Sequence, residues 1–238
     1  MHHRLSAHSF RAAVMLVALN GALVSGQTPP SFGDSQKANA QALRQYSWKS
    51  RTELKLKGES KIVKLEQVRY DVNGKLQKTP LEGPPAAAAP APAGRGGRGG
   101  GRVKEKVIEN KKEEFGEMMQ GLGQLVASYG QMPPEKTQAL AASATKGRGE
   151  GEMQGTAQIQ GRDVLHPGDS MTIWIDPATQ MMRRVEIKTV YDKKPATLIA
   201  DYRAVPNGPT YMARAVLTYP EKNVELTVDN SGYERSTP

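Results

Sequence analysis

Between Met171 and Tyr233 the chain sets five runs rich in Val, Ile, Thr and Tyr between short turn clusters, and no other stretch constrains the fold as much. The runs are Met171–Asp176, Met182–Tyr191, Ala196–Val205, Thr210–Tyr219 and Asn223–Asp229. Asp176-Pro177 and Asn207-Gly208-Pro209 divide them, since Pro presets one dihedral and Gly accepts positive φ. β-Branched and aromatic residues at this spacing predict an antiparallel meander.

Upstream, Trp48, Ser50, Thr52, Leu54 and Leu56 alternate with Lys49, Arg51, Glu53, Lys55 and Lys57. That alternation predicts a strand over Ser47–Lys57 with one buried and one charged face. Gly58 breaks it, Ile62–Val72 reads as the returning strand, and Asn73-Gly74 turns the chain into Lys75–Pro80. Ahead of this hairpin, Asp34 is expected to cap a helix running to about Tyr46, with Ala38, Ala42, Leu43 and Tyr46 on its inner face. From Lys111 onward Phe115, Met118, Met119, Leu122, Leu125, Val126 and Tyr129 form one stripe of an amphipathic helix that Gly130 stops. Pro133-Pro134 opens a second, Ala-rich helix through about Thr145. Gly147–Gly151 reads as a flexible link, Glu152–Val164 as a strand and His166-Pro167-Gly168-Asp169 as a turn. Helices segregated from runs of strands predict the α+β class. The expected form is a curved antiparallel sheet, an unclosed β-barrel, covered by about three helices.

The termini and one internal segment are of different material. Arg4 and Arg11 make a positive n-region ahead of the apolar run Ala12–Leu19, and Val24-Ser25-Gly26 ends in small residues, so residues 1–26 read as a cleavable secretory signal. The apolar run is shorter than the ~18–20 residues a spanning helix needs, and no membrane-spanning segment is expected once the signal is removed. A mobile leader over 27–35, one domain over 36–233 and a tail at 234–238 follow. The domain is interrupted at 82–102 by a Pro-, Ala-, Gly- and Arg-rich flexible insertion. Signal removal leaves 212 residues with 31 basic and 24 acidic side chains, a charge of about +7. The location implied is periplasmic. The chain has no cysteine, which excludes disulfides, thiolate metal sites and a cysteine nucleophile. Gly94–Gly99 matches the dinucleotide fingerprint by letter, yet no strand leads into it. Its arginines have no aromatic between them to stack bases, so no nucleic-acid partner is expected. An anionic envelope surface suits them better.

Catalytic signals are sparse. His166 is the one histidine after signal removal, with Asp163 or Asp169 as its conceivable orienter, and no G-x-S-x-G elbow accompanies it. No carboxylate and histidine spacing marks a metal site, and no cofactor is expected. The residues read as a non-enzymatic protein. Trp174 and Asp176 read as strand packing with a turn cap, with a pocket rim as the lesser alternative for Trp174.

The element order, together with Trp174-Ile175-Asp176-Pro177, Arg184-Val185-Glu186 and the later Tyr202 and Pro206-Asn207-Gly208-Pro209-Thr210, resembles the periplasmic lipoprotein-carrier superfamily (LolA-like). The resemblance covers roughly residues 36–233, with the 82–102 insertion as a departure. It implies an unclosed barrel whose mouth is plugged by helices, with an apolar cavity that accepts the acyl chains of a lipid or an acylated protein. Such a cavity is expected to be lined by Trp48, Leu54, Leu56, Met118, Met119, Leu122, Ile173 and Ile175. Two alternatives stand beside it. One is an envelope interaction or scaffold module with a filled barrel, docking on acidic surfaces through faces such as Lys49, Arg51, Lys55 and Lys57. The other is a hydrolase dependent on His166.

Overall fold

The computed structural model describes residues 31–81, 101–130 and 132–236. The signal at 1–26, the leader up to residue 30, the insertion over 82–100 and the tail at 237–238 lie outside the described residues. The chain divides into two compact units. Of the described residues, one unit holds α2 (Gly101–Gly130). The other holds all the remaining elements.

In the larger unit α1 (Phe32–Leu43) precedes β1 (Tyr46–Leu56), β2 (Glu59–Tyr70) and β3 (Leu76–Pro80). After the other unit come α3 (Pro134–Ser143), β4 (Thr145–Arg148), β5 (Ala157–Arg162) and β6 (Ser170–Asp176). The meander closes with β7 (Met181–Tyr191), β8 (Lys194–Ala204), β9 (Thr210–Tyr219) and β10 (Val224–Arg235). All ten strands form one antiparallel sheet in the order β3-β2-β1-β10-β9-β8-β7-β6-β5-β4. The sheet is open, with β3 and β4 as its edges, and the α+β class with a curved, unclosed sheet holds. Two meanders, β1 to β3 and β4 to β10, are joined only by the pairing of β1 with β10.

Alternation along each strand sorts the side chains onto two chemically distinct faces. One face carries rows of apolar residues that run straight across the strands. Leu54, Leu226, Leu217, Leu198, Ile187 and Met171 form one such row from β1 to β6. Thr52, Val228, Ala215, Ala200, Val185, Ile173 and Ile159 form the next. On the opposite face Arg51, Asp229, Arg214, Asp201 and Arg184 stand side by side on β1, β10, β9, β8 and β7, so the charge alternates from strand to strand. Arg184 Nε lies 2.5 Å from Asp201 Oδ1 and Arg214 Nη1 lies 3.4 Å from Asp229 Oδ1. Trp174 and Gln158 continue this row onto β6 and β5.

Several boundaries differ from the sequence expectation, each for a local reason. Ser31, not Asp34, is the N-cap of α1: its hydroxyl accepts the Asp34 N–H at 3.2 Å and donates to the Asp34 carboxylate at 2.6 Å. This reciprocal pair is a variant of the capping box and starts the helix inside the segment read as a leader. The buried face of α1 is polar, formed by Ser35, Gln36 and Asn39, whereas Ala38 is exposed. The helix ends at Leu43 because Tyr46 already belongs to β1. α2 begins at Gly101, ahead of Lys111 and within the segment read as an insertion. β4, a four-residue edge strand with no apolar side chain to announce it, begins at Thr145, where the helix is expected to end, and runs into the supposed link at Gly147 and Arg148. β5 is shorter than expected because Gly149–Thr156 curls into a loop closed by Gly149 N–H to Thr156 O at 2.9 Å. β10 extends through Glu234 and Arg235, residues read as tail.

α3 approaches β5 where a side chain would not fit. A Cβ at Gly161 would stand 1.9 Å from Leu140 Cδ1, and Leu140 is itself buried. Glycine at this position lets the helix settle directly on the strand.

Candidate functional site

Among the described residues, the apolar face of the sheet is an extended surface whose chemistry suits an apolar ligand. Its parts come from both meanders, because β1 and β10 pair within the sheet. Trp48, Leu54, Ile173 and Ile175 lie on this face and expose 8%, 4%, 1% and 4% of their surface. Leu56, at the end of β1, is half-buried. Five of the eight residues expected to line a cavity therefore share one face of one sheet. The other three, Met118, Met119 and Leu122, lie on α2 in the second unit, where Leu122 is fully buried and the two methionines are half-buried. On α2 the stripe from Phe115 to Tyr129 is buried or half-buried, while Glu113, Glu114, Glu117 and Gln124 are exposed. The helical spacing thus gives the amphipathic helix it predicts.

Cover of the sheet face is uneven. Leu217, Ile187, Met171 and Val224 are buried, yet Leu198, Leu226 and Val228 retain accessible surface. Toward the β1–β2–β10–β9 side the face changes from aliphatic to aromatic. Tyr70 lies 5.7 Å from Trp48, Trp48 stacks on Tyr233 at 5.1 Å, and Tyr233 meets Tyr211 at 4.0 Å between ring centres. Four rings on four adjacent strands form this cluster in a chain with only thirteen Phe, Trp and Tyr residues. Periodicity places Trp48 inward but cannot find the cluster, because Tyr211 and Tyr233 reach it only through the β9–β10–β1 register.

Burial acts on the acidity of these phenols. Desolvation, reinforced by Tyr211 and Tyr70, pushes the Tyr233 hydroxyl well above its ordinary value. Desolvation alone pushes Tyr202, on β8, from 10.0 up to about 12. A raised folded-state value means that the neutral phenol is favoured by folding. The resulting stability is complete below about pH 10 and, for Tyr202, is lost as the pH rises from 10 to about 12. In an alkaline titration these phenols should stay protonated until the protein unfolds. Phenolate absorbance and far-ultraviolet circular dichroism should then change together. Full ionisation of all tyrosines while the β signal persists would contradict this burial.

α1 closes one margin of the sheet with side-chain amides rather than apolar packing. Gln36 Nε2 donates to the Gln180 carbonyl at 3.0 Å, at the entry to β7. Asn39 makes a paired contact with the first residue of β9: its Nδ2 donates to the Thr210 carbonyl at 2.7 Å and its Oδ1 accepts the Thr210 N–H at 2.6 Å. The amide of Asn39 thereby completes the hydrogen bonding of a strand end as another strand would.

His166 is exposed in the β5–β6 turn. The two carboxylates the sequence offers as its orienter both serve the turn itself. Asp169 accepts the N–H groups of Val164, Leu165 and His166 at 2.5, 3.0 and 2.9 Å. Asp163 accepts the N–H of Gly168 at 2.6 Å. Asp176 acts likewise on Ala178 and Thr179, at 2.9 and 3.1 Å, which makes it a turn cap. Among the described residues no group of three or more His, Asp or Glu side chains is placed to hold a metal ion. No described helix is long and apolar enough to cross a membrane.

No protein-family model matches the chain, and no curated protein matches it. Among solved structures the chain is similar to a LolA superfamily protein from Nitrosomonas europaea, at 10% identity over 84% of this chain and 92% of that one, with a TM-score of 0.34. It is also similar to a DUF1329 family protein from Desulfovibrio piger, at 7% identity over 84% of this chain and 93% of that one, with a TM-score of 0.37.

Proposed function

We propose that this chain is an exported cell-envelope protein that binds a lipid or an acylated ligand on the apolar face of its sheet and performs no chemistry on it. The observation that carries this reading is the partial cover of that face: Leu56, Leu198, Leu226 and Val228 keep accessible surface beside buried neighbours such as Leu54, Leu217 and Val224. Trp48, Leu54, Ile173 and Ile175 form the floor around them, and Met118, Met119 and Leu122 of α2 supply an apolar stripe of the same chemical kind. Burying a methylene contributes ~0.8 kcal/mol, so an acyl chain offers on the order of 10 kcal/mol before ordering costs are subtracted. On this reading residues 1–26 are removed on export, 36–233 work as one carrier-like domain, and the protein acts in the periplasm.

A second reading, a docking module for acidic envelope surfaces, draws on the N-terminal meander. From Tyr46 to Leu81 it carries nine Lys or Arg residues against four Asp or Glu. Such a surface attracts anionic lipid headgroups in a salt-dependent way.

Native mass spectrometry of protein isolated from the envelope, followed by organic extraction, separates the two. A phospholipid or acylated species near one per chain is the expected result. A bare mass, with no uptake of added fatty acid or lipopeptide, would overturn the first reading. Salt-sensitive binding to anionic vesicles by that bare protein would favour the second.

A further inference from the structure

The charged row on the polar face ends in a cleft that lies on the side of the sheet opposite the proposed lipid surface. Between β4 and β5 the chain folds back over the sheet instead of turning directly. Met153 N–H bonds the Glu150 carbonyl at 3.0 Å and Thr156 N–H bonds the Met153 carbonyl at 3.1 Å, which fixes the loop as a compact roof. A Cβ at Gly149 would stand 2.2 Å from the Met153 carbonyl oxygen, so this turn is packed too tightly for a side chain. Glu152 extends from the roof to β7, where its carboxylate lies 3.4 Å from Arg184 Nη1. Between roof and sheet lies a half-open cleft of about 320 Å³, with Trp174 among the residues that line it. That volume is at the lower end of small-ligand sites, roughly 300–1,000 Å³.

The charges around Trp174 are unequally committed. Arg184 is held by Asp201 at 2.5 Å as well as by Glu152, and Glu186 is held by Lys188 at 2.7 Å. Glu152 is thus shared with Arg184, and the groups around the cleft, Glu150, Glu152, Glu186 and Asp201 against Arg148, Arg184 and Lys188, carry one negative charge in excess. Carboxylates beside an indole face form a site for an organic cation, because the ring quadrupole and the carboxylates attract the same sign of charge.

We propose that this cleft binds the cationic end of a small ligand or of a partner's side chain, a guanidinium or an alkylammonium, stacked on Trp174 and held by Glu150 and Glu152. The chemistry is shared by a free amine and by a basic residue of a peptide, and the two can be told apart.

The test uses the nitrogen-15-labelled full chain, whose two tryptophans give two indole N–H resonances, assigned by Trp174→Phe. Agmatine and a blocked Gly-Arg-Gly peptide are titrated separately, with N-acetylglutamate as the anionic control. A saturating shift of the Trp174 resonance is expected at ~1 mM cation, with the Trp48 resonance unmoved. Equal or tighter binding of the peptide assigns the site to a partner's side chain, and binding of agmatine alone assigns it to a free amine. The double variant Glu150→Gln, Glu152→Gln changes only exposed loop residues and should weaken either ligand about tenfold. No shift with either cation, an equal shift with N-acetylglutamate, or unchanged affinity in the double variant would overturn the proposal. Because the cleft and the apolar face are on opposite sides of the sheet, loss of one binding activity leaves the other measurable.

Discussion

Replacing Ile173 with alanine lowers the stability of the sheet-bearing unit by about 2–5 kcal/mol. The side chain is 1% exposed and stands between Ile159 and Val185 in an apolar row. Truncation removes its transfer free energy, and a hydrogen-bonded sheet holds the neighbouring strands apart, so the hole cannot close. In denaturant unfolding the midpoint should fall while the slope stays constant, because the surface exposed on unfolding is nearly unchanged. Thermal unfolding should move down by about 2–4 °C per kcal/mol for a chain of this size. A loss below about 1 kcal/mol would mean that the site collapses around the alanine, and the row would then be looser than its burial indicates.

Asn39→Ala is the second large effect, and it acts through hydrogen bonds. It strips partners from both the N–H and the carbonyl of Thr210, and each buried group left unsatisfied costs about 1–3 kcal/mol. The Thr210 amide should lose its protection from hydrogen exchange, while amides in the middle of β9 keep theirs. Asn39→Asp is the informative companion. Its carboxylate still accepts the Thr210 N–H but sets an anionic oxygen against the Thr210 carbonyl. Stability should therefore be partly regained only below about pH 4, where the protonated acid can donate. Equal stability of Asn39→Asp at neutral and acidic pH would show that Nδ2 contributes little to holding α1 in place.

The sequence makes legible whatever depends on period two or period 3.6. Trp48, Leu54 and Leu56 share a face because alternate residues of a strand must, and Ile173 and Ile175 follow the same rule. The α2 stripe is readable for the same reason. The polar face of α1 is not. Gln36 and Asn39 look like solvent residues until Gln180 and Thr210 are brought to them, and those partners lie more than 140 positions away. Thr145–Arg148 is hidden differently: an edge strand of Thr, Lys, Gly and Arg has nothing to alternate. The Trp174 cleft required both the register and the folded-back loop. Trp174 lines this cleft on the charged side of the sheet, whereas the sequence favours strand packing beside a turn cap for it.

The alternating charge row bears on how the chain avoids a wrong assembly. A shift of one residue between paired strands would turn apolar side chains to the charged face, so the dangerous error is a shift of two, which keeps the faces correct. Between β1 and β10 a two-residue slip in either direction sets Glu53 opposite an acid, Glu225 or Asp229. Between β7 and β8 one such slip sets Arg184 against Arg203 and Glu186 against Asp201. Like charges directly opposite are destabilising. The protection is placed where it is most needed, because β1 has no partner on its inner edge until the last strand of the chain has been made. During synthesis the N-terminal hairpin must wait with that edge unpaired, and the row of charges penalises a two-residue slip in either direction when β10 arrives.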